Sequence, residues 1–326
     1  MVKVAIVGAT GVVGSKMLEM FEQYEISADE ISLLSSARSA GKKLELFGKE
    51  YTVEELTEET AGRGFDYVVM SAGGGTSKEF APLFEENGAV VIDNSSQWRM
   101  HEDVDLIVPE INEPELNRNI IANPNCSTIQ SVVTLEPLAQ AFGLKRVNYT
   151  TYQAVSGSGS GGLRDLEEGA KGKAPTTYPH AIHDNVLPHV DVFLENGYTK
   201  EEQKMIDETK KILGLPKLPV SATCVRVPVS NSHGVQINVT LDKEANEEEV
   251  RDAFRGLDHI ALVDNPAAEE YPMPADSTGR PEVFVGRIRK DNSLENTFHV
   301  WCTSDNLLKG AAQNTVQILK QMMKRE

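Results

Sequence analysis

Cys126 is the residue of this 326-residue chain best placed for covalent chemistry. It stands in Asn123-Pro124-Asn125-Cys126-Ser127-Thr128, a polar, turn-forming run, and the apolar positions Ile129, Val132, Val133, Leu135 and Leu138 follow. That spacing predicts a helix beginning at the cysteine. Amides and the macrodipole at a helix start favour the thiolate, which is the nucleophilic form. Cys224 and Cys302 lie inside strand-like runs and read as structural. A cysteine nucleophile needs an acid or base partner, and seven histidines are available. His180, His183 and His189 share one segment, but no cysteine or second cluster completes tetrahedral zinc ligation, so no metal is expected. His233 ends the run Arg226-Val227-Pro228-Val229-Ser230-Asn231-Ser232-His233, a polar interruption between two strand-like segments. From spacing alone it reads first as an ordinary loop histidine.

A second constellation suits a dinucleotide. Gly8, Gly11 and Gly14 separate the first apolar strand from the first helix. Such a turn lets a diphosphate approach amides at a helix N-terminus. The spacing is G-x-x-G-x-x-G, which differs from the G-x-G-x-x-G fingerprint and also suits a bare turn. The second strand ends in Ser35-Ser36-Ala37-Arg38-Ser39, where NAD enzymes of this type place a carboxylate on the ribose. A guanidinium and hydroxyls suit a 2′-phosphate, so NADP is expected over NAD; the alternative for Arg38 is a solvated surface arginine. Gly157, Gly159, Gly161 and Gly162 follow Thr151-Tyr152-Gln153-Ala154-Val155-Ser156. They permit close approach of backbone to a ligand, and equally make a mobile connector.

The elements that must carry these residues fall into two groups. Apolar runs at residues 2–7, 31–34, 67–70, 89–92, 106–107 and 120–122 alternate with helical patterns such as Met17, Leu18 and Phe21. That is the signature of a parallel sheet covered on both faces. After Asn123 the runs at 147–152, 222–229, 235–241, 283–289 and 298–303 alternate polar and apolar residues, which predicts antiparallel strands with one face exposed. Residues 199–213 and 307–324 read as helices, the last returning to the first domain. The length also suggests two domains. The boundaries expected are 1–125 with 306–326, and 126–305.

A net charge of −17 repels phosphate backbones and anionic lipid, so neither nucleic acid nor membrane is an expected partner. No apolar run approaches the roughly 20 residues of a membrane helix, and the N-terminal stretch is too short for a signal peptide. Three widely spaced cysteines fit a reducing cytoplasm.

These residues together resemble the aspartate-β-semialdehyde dehydrogenase family. The matching segments are VAIVGATGVVG, SSARSAG, DNSSQWRM, NPNCSTIQ, TYQAVSGSG, EEQKMIDETKKI, CVRVPVSNSH, FVGRIRKD and SDNLLKGAAQN, nearly end to end. The resemblance implies an α/β chain: a Rossmann-type NADP-binding domain, then an α+β catalytic and dimerisation domain with a mainly antiparallel sheet. It implies NADP-dependent conversion of L-aspartyl 4-phosphate to L-aspartate 4-semialdehyde through a Cys126 thioester, on the route to lysine, threonine and methionine. It implies a catalytic set of Cys126, His233, Gln153 and Asn125, with His233 as acid/base. Arg226 would clamp the substrate carboxylate, Glu201 would contact its amine, and Gln153 would orient it. Arg99 and Lys204 would hold inorganic phosphate or the acyl phosphate; without the resemblance, Glu201 and Lys204 read as a surface ion pair. Thr10, Gly11, Val12 and Val13 would meet the cofactor diphosphate, Arg38 and Ser39 the 2′-phosphate, and Ser156, Gly157 and Asn306 the nicotinamide end. Gly8 and Gly73 complete the cofactor set. A homodimer is implied. One departure is the flank of His233: Asn231-Ser232 stands where an arginine is often found, and Gly234-Val235-Gln236 replaces serine, glutamate and serine. N-acetyl-glutamyl-phosphate reductases are similar in architecture, but typically carry glycine where Asn125 stands. A catalytically silent NADP sensor is the other alternative, and it would be expected to lose Cys126 or His233.

Overall fold

The computed structural model describes residues 1–325, which divide into two compact units. One comprises Met1–Pro124 and the stretch from Ala311; the other is Asn125–Gly310. Asn125 and residues 306–310 thus pack with the second unit.

In the first unit, β1 (Lys3–Val7) is buried from Val4 onward and leads into the glycine turn. Gly8 has φ +82°, and a Cβ there would lie 2.2 Å from the carbonyl oxygen of Ser71. A Cβ on Gly14 would lie 2.1 Å from the Gly8 oxygen. Both positions therefore require glycine for the turn's own packing. Helix α1 (Val12–Gln23) follows, burying Met17, Leu18, Met20 and Phe21. Next come β2 (Glu30–Ser35), the hairpin β3 (Lys43–Leu46) and β4 (Lys49–Thr52), β5 (Glu54–Glu55) and α2 (Glu58–Ala61). The chain continues through β6 (Tyr67–Met70), α3 (Gly74–Glu86), β7 (Val90–Asp93), β8 (Asp105–Leu106) and β9 (Ile120–Ala122). The sheet order is β5-β2-β1-β6-β7-β9-β8, and every pair is parallel. All four residues of β6 are buried, as expected for a strand covered on both faces. The order reverses at β1, so the glycine turn sits at the switch point where α/β sheets bind ligands.

The second unit begins with α4 (Cys126–Phe142), β10 (Leu144–Gln153), a 3₁₀ turn (Val155–Ser158) and α5 (Gly159–Gly169). Then follow α6 (Lys200–Ile212), β11 (Val220–Arg226), β12 (His233–Leu241), α7 (Glu247–Asp252), β13 (Ile260–Leu262), α8 (Pro274–Ser277), β14 (Val283–Lys290) and β15 (Thr297–Ser304). Its sheet, β11-β10-β12-β15-β14-β13, is mixed: β10–β12, β12–β15 and β15–β14 are antiparallel, while β10–β11 and β13–β14 are parallel. The expectation that the run beginning at Ala222 pairs antiparallel is corrected. Helices α5 and α6 intervene, and a long crossover returns the chain in the same direction. One sheet face presents Val235, Ile237 and Val239, all fully buried, and α4 packs on this sheet. The opposite face is a ladder of Gln236, Asn238 and Thr240, low in exposure because long polar neighbours such as Arg146 cover it.

The expected final helix is interrupted. Residues Leu308–Ala312 form a π-helix, and α9 (Gln313–Met323) continues from it. Helix α9 packs in the first unit against α1, β6 and β7.

Candidate active site

Cys126 is the first residue of α4, as the polar run before it suggested. Asn125 is the N-cap: its Oδ1 accepts the amides of Ser127 at 3.0 Å and Thr128 at 3.2 Å. Those two amides are therefore used by the cap and are not donors for a substrate oxyanion. What remains for the thiol is the field of a buried helix end. The Asn125 amide nitrogen donates to Glu201 at 2.9 Å, and its backbone N–H donates to Glu208 at 2.6 Å. The residue before the thiol is thus held at three points.

The histidine partner comes from 107 residues away: Cys126 Sγ lies 3.2 Å from His233 Nε2. His233 is fully buried as the first residue of β12, a correction to its placement in a polar interruption between strands. The interruption is shorter than the sequence suggests and ends at Ser232. That residue adopts φ +69°, with its N–H donating to Asn306 Oδ1 at 2.9 Å. On the far side of the ring, the Ala154 N–H donates to Nδ1 at 2.9 Å. Nδ1 is therefore an acceptor, and the neutral ring carries its proton on Nε2, facing the sulfur. Burial, then the charge of Arg226, press the imidazole pKa down to about 3, against a weaker pull from Glu201.

Glu201 sits at the centre of a buried polar cluster. Its Oε1 accepts Asn125 Nδ2 at 2.9 Å and Gln153 Nε2 at 3.0 Å; its Oε2 accepts Lys204 Nζ at 3.1 Å. Burial alone would raise this carboxyl, but the Lys204 charge and three hydrogen bonds outweigh it and hold the pKa at about 2. Lys204 also donates to Asp191 at 2.7 Å. Burial disfavours its charge, yet these two carboxylates win and raise its pKa. Gln153 is locked on both ends, since its Oε1 accepts Thr151 Oγ1 at 3.0 Å. A capping box at Thr199 and Glu202 starts α6 one residue before Lys200 and so aims Glu201 and Lys204 inward together.

Arg226 ends β11, 5% exposed. Its Nη1 donates to the Ala154 carbonyl at 2.7 Å, while its Nε is buried without a partner. An unpaired, buried guanidinium N–H is costly unless an anion satisfies it. Gly157 lies beside it: a Cβ there would stand 3.0 Å from Arg226 Nη1 and 3.4 Å from His233 Cε1. Ser156 Oγ contacts both Asn231 Oδ1 (3.0 Å) and Asn306 Oδ1 (3.2 Å). The second unit thus gathers Cys126, His233, Gln153, Asn125, Glu201, Lys204, Arg226, Ser156, Gly157 and Asn306 into one linked set.

In the first unit, Gly11 is the N-cap of α1 and offers its first amides no side-chain cap, leaving Val12 and Val13 at an uncapped helix start. That suits a diphosphate. Thr10 Oγ1 bonds Ser35 Oγ at 3.2 Å and Ser39 Oγ at 3.1 Å, so the two loops expected to hold NADP are tied together. Arg38 is exposed on that turn. Gly73 is likewise an N-cap without a side chain, at α3. Arg99 is buried, with Nε on the Asn123 carbonyl at 2.9 Å and Nη2 on the Asn94 carbonyl at 2.8 Å.

Sequence reasoning missed Glu208, Ala154 as the ring's hydrogen-bond donor, and Gln130, whose Nε2 donates to the His233 carbonyl at 3.3 Å. Spacing carries no sign of any of these long-range pairs. Cys224 and Cys302 are buried, and burial raises both thiols, Cys302 to about 11. Among the described residues no group of three or more His, Cys, Asp or Glu is placed to hold a metal, and no helix is long and apolar enough to cross a membrane.

Comparison with known proteins agrees over the whole chain. Residues 3–119 match the family model for the semialdehyde dehydrogenase NAD binding domain, and residues 135–309 match the semialdehyde dehydrogenase dimerisation domain. The aspartate-semialdehyde dehydrogenase of Aquifex aeolicus is 49% identical, covering 99% of this chain and 98% of the relative. That of Bacillus subtilis is 45% identical over 98% of this chain and 97% of its own. The fold matches the crystal structure of Vibrio cholerae aspartate semialdehyde dehydrogenase II complexed with ASA, with a TM-score of 0.94, 41% identity and coverage of 99% and 98%. It also matches the Candida albicans enzyme with NADP, at a TM-score of 0.77 and 26% identity over 98% of each chain. The nearly end-to-end match in both sequence and fold shows that the chain belongs to the aspartate-semialdehyde dehydrogenase family.

Proposed function

We propose that this chain catalyses the NADP-dependent reductive dephosphorylation of L-aspartyl 4-phosphate to L-aspartate 4-semialdehyde, and the reverse phosphorylating oxidation. This step belongs to the aspartate route to lysine, threonine and methionine. The observation that carries the reading is the Cys126 Sγ to His233 Nε2 distance of 3.2 Å at the start of a buried helix. The names of the relatives above, one crystallised with ASA and another with NADP, supply the substrate and the cofactor.

Cys126, as thiolate, attacks the acyl carbon; a C–S bond forms, the C–O bond to phosphate breaks, and phosphate leaves. Bound by Gly8, Thr10, Gly11, Val12, Val13, Arg38, Ser39 and Gly73, with Ser156, Gly157 and Asn306 toward the reactive end, NADPH would supply a hydride to the thioester. His233 donates its Nε2–H to the sulfur and to the oxygen that turns anionic when the thioester is reduced. Collapse of that oxyanion expels the thiolate and releases the aldehyde. The histidine need not exchange its proton, so its acid/base role narrows to that of a neutral hydrogen-bond donor. Arg226 takes the substrate carboxylate through its unpaired Nε. Glu201 holds Asn125 and Gln153 in place and keeps one negative charge near the substrate amine. Arg99 and Lys204 hold phosphate, Lys204 exchanging its bond to Asp191 for the anion.

The enzyme acts as a homodimer in the cytoplasm. The dimerisation-domain match supports the first point, as does the exposed Tyr152, which stacks edge-on with Trp301 at 5.4 Å on the second unit's sheet. Three free thiols support the second.

The test is NADPH formation from aspartate semialdehyde with phosphate or arsenate, followed by absorbance with NAD run in parallel. The native protein turns over with NADP, and Cys126→Ala does not. Equal turnover by the alanine variant removes the thioester from the mechanism, and preference for NAD removes the assignment of Arg38.

A further inference from the structure

The segment after β15 is built around Asp305, which is 2% exposed. Its Oδ1 accepts the amides of Leu307 at 2.9 Å and Leu308 at 3.1 Å. Its Oδ2 accepts Asn231 Nδ2 at 2.8 Å and the Gly279 N–H at 2.9 Å. Its carbonyl accepts the N–H of Gly310 at 3.1 Å, five residues on, the register of a π-turn. An α-turn would have taken residue 309 instead. The wider turn lays the Gly310 backbone flat against the nucleophile. A Cβ at 310 would stand 2.9 Å from Cys126 Cβ and 3.3 Å from Cys126 Cα, with Asn306 Cβ at 3.5 Å. Neither Cys126 atom is the free end of a flexible chain, so the contact cannot be relieved by a rotamer change. The same carboxylate reaches the other partner: Asn231, bound to Asp305, lies two residues before His233.

We infer that Asp305 and Gly310 are positioning residues: the π-turn that Asp305 caps seats Gly310 against Cys126 and so keeps the sulfur on the Nε2–H of His233. This rests on Cys126 being the nucleophile. Substitutions here change the thiol's geometry and do not touch substrate.

Three measurements on the full-length protein test it. Gly310→Ala lowers kcat by about 10- to 100-fold with KM within about threefold, as expected for a displaced nucleophile. It also slows alkylation of Cys126 by iodoacetamide and shifts the pH midpoint of that alkylation upward. Its Tm falls, and falls by much less in a Cys126→Gly background, where the Cβ it strikes is gone. Asp305→Asn, which sets an amide donor against Gly279 and Asn231, slows the alkylation in the same direction. If Gly310→Ala is insoluble alone, recovery of folded protein in the Cys126→Gly double variant supports the contact, and failure in both overturns it. Native alkylation rates in both variants, or equal Tm losses in both backgrounds, also overturn it. Full turnover by Cys126→Ser would sink the catalytic reading by itself, because the alkylation and Tm comparisons do not depend on turnover.

Discussion

The backbone N–H of Ala154 donates to His233 Nδ1 at 2.9 Å, and this bond decides where the ring proton sits. A proton on Nδ1 would face another N–H, so the neutral ring keeps its hydrogen on Nε2, toward Cys126 at 3.2 Å. Burial and Arg226 oppose a second proton. In the resting site the ring therefore presents a donor to the sulfur.

The first prediction concerns that ring. With its pKa pressed from 6.5 to about 3, His233 stays neutral from pH 5.5 to 8. Nitrogen NMR on labelled histidine should show one ring locked as the Nε2–H tautomer through this range; a resonance titrating near 6.5 and assigned to His233 refutes it. The sign for stability follows. Above 6.5 the ring is neutral folded and unfolded and contributes nothing. As pH falls below 6.5 the unfolded chain binds a proton that the folded ring refuses, so stability declines toward pH 3. His233→Gln, which keeps a donor, should retain more turnover than His233→Ala, with the alanine costing about 10²- to 10³-fold in kcat.

Glu201→Gln keeps an oxygen for Asn125 Nδ2 and Gln153 Nε2 but removes the charge and sets an amide donor against Lys204 Nζ. It should cost about 1–3 kcal/mol in urea denaturation and at least about tenfold in kcat. The native carboxyl, held at about 2, contributes stability fully above its unfolded value of 4.5, and that stability is lost as pH falls from 4.5 toward 2. An acid-unfolding profile that is identical in native and variant protein excludes this role.

Arg226→Lys keeps the charge and removes the fork. Nε is buried without a partner, and the proposed function gives it the substrate carboxylate; on that reading KM for aspartate semialdehyde should rise by about 10- to 100-fold, more than kcat falls. An unchanged KM would mean the carboxylate binds elsewhere.

Arg38→Asp replaces the exposed cation on the second loop with the carboxylate that favours a free ribose hydroxyl. The ratio of kcat/KM with NADPH to that with NADH should drop by about 100-fold, corresponding to one or two charge-assisted hydrogen bonds. Equal ratios in both proteins leave Arg38 as a surface residue.

Much of this was legible along the chain because it is local. The glycine turn between β1 and α1, the apolar parallel strands, and the start of α4 at Cys126 each follow from a few consecutive residues. The absence of an acid after β2 likewise speaks to the cofactor from the sequence alone. That Asn125 caps this helix came only with the structure, where its Oδ1 accepts the orphan amides of Ser127 and Thr128.

Long-range pairing was not legible, because hydrogen bonds between distant residues leave no period in the sequence. Cys126 meets His233 across 107 positions, and only the register of β12 within its sheet brings them together. The strand directions in the second unit were decided by crossovers whose effect alternation cannot record. The histidine's tautomer depended on one backbone amide from another strand's end, and the π-turn at Leu308–Ala312 on a buried carboxylate that ties three segments. By itself the sequence determined which groups could react. Tertiary structure decided which atom of His233 faces the sulfur, because that depends on contacts made only after the sheet has closed.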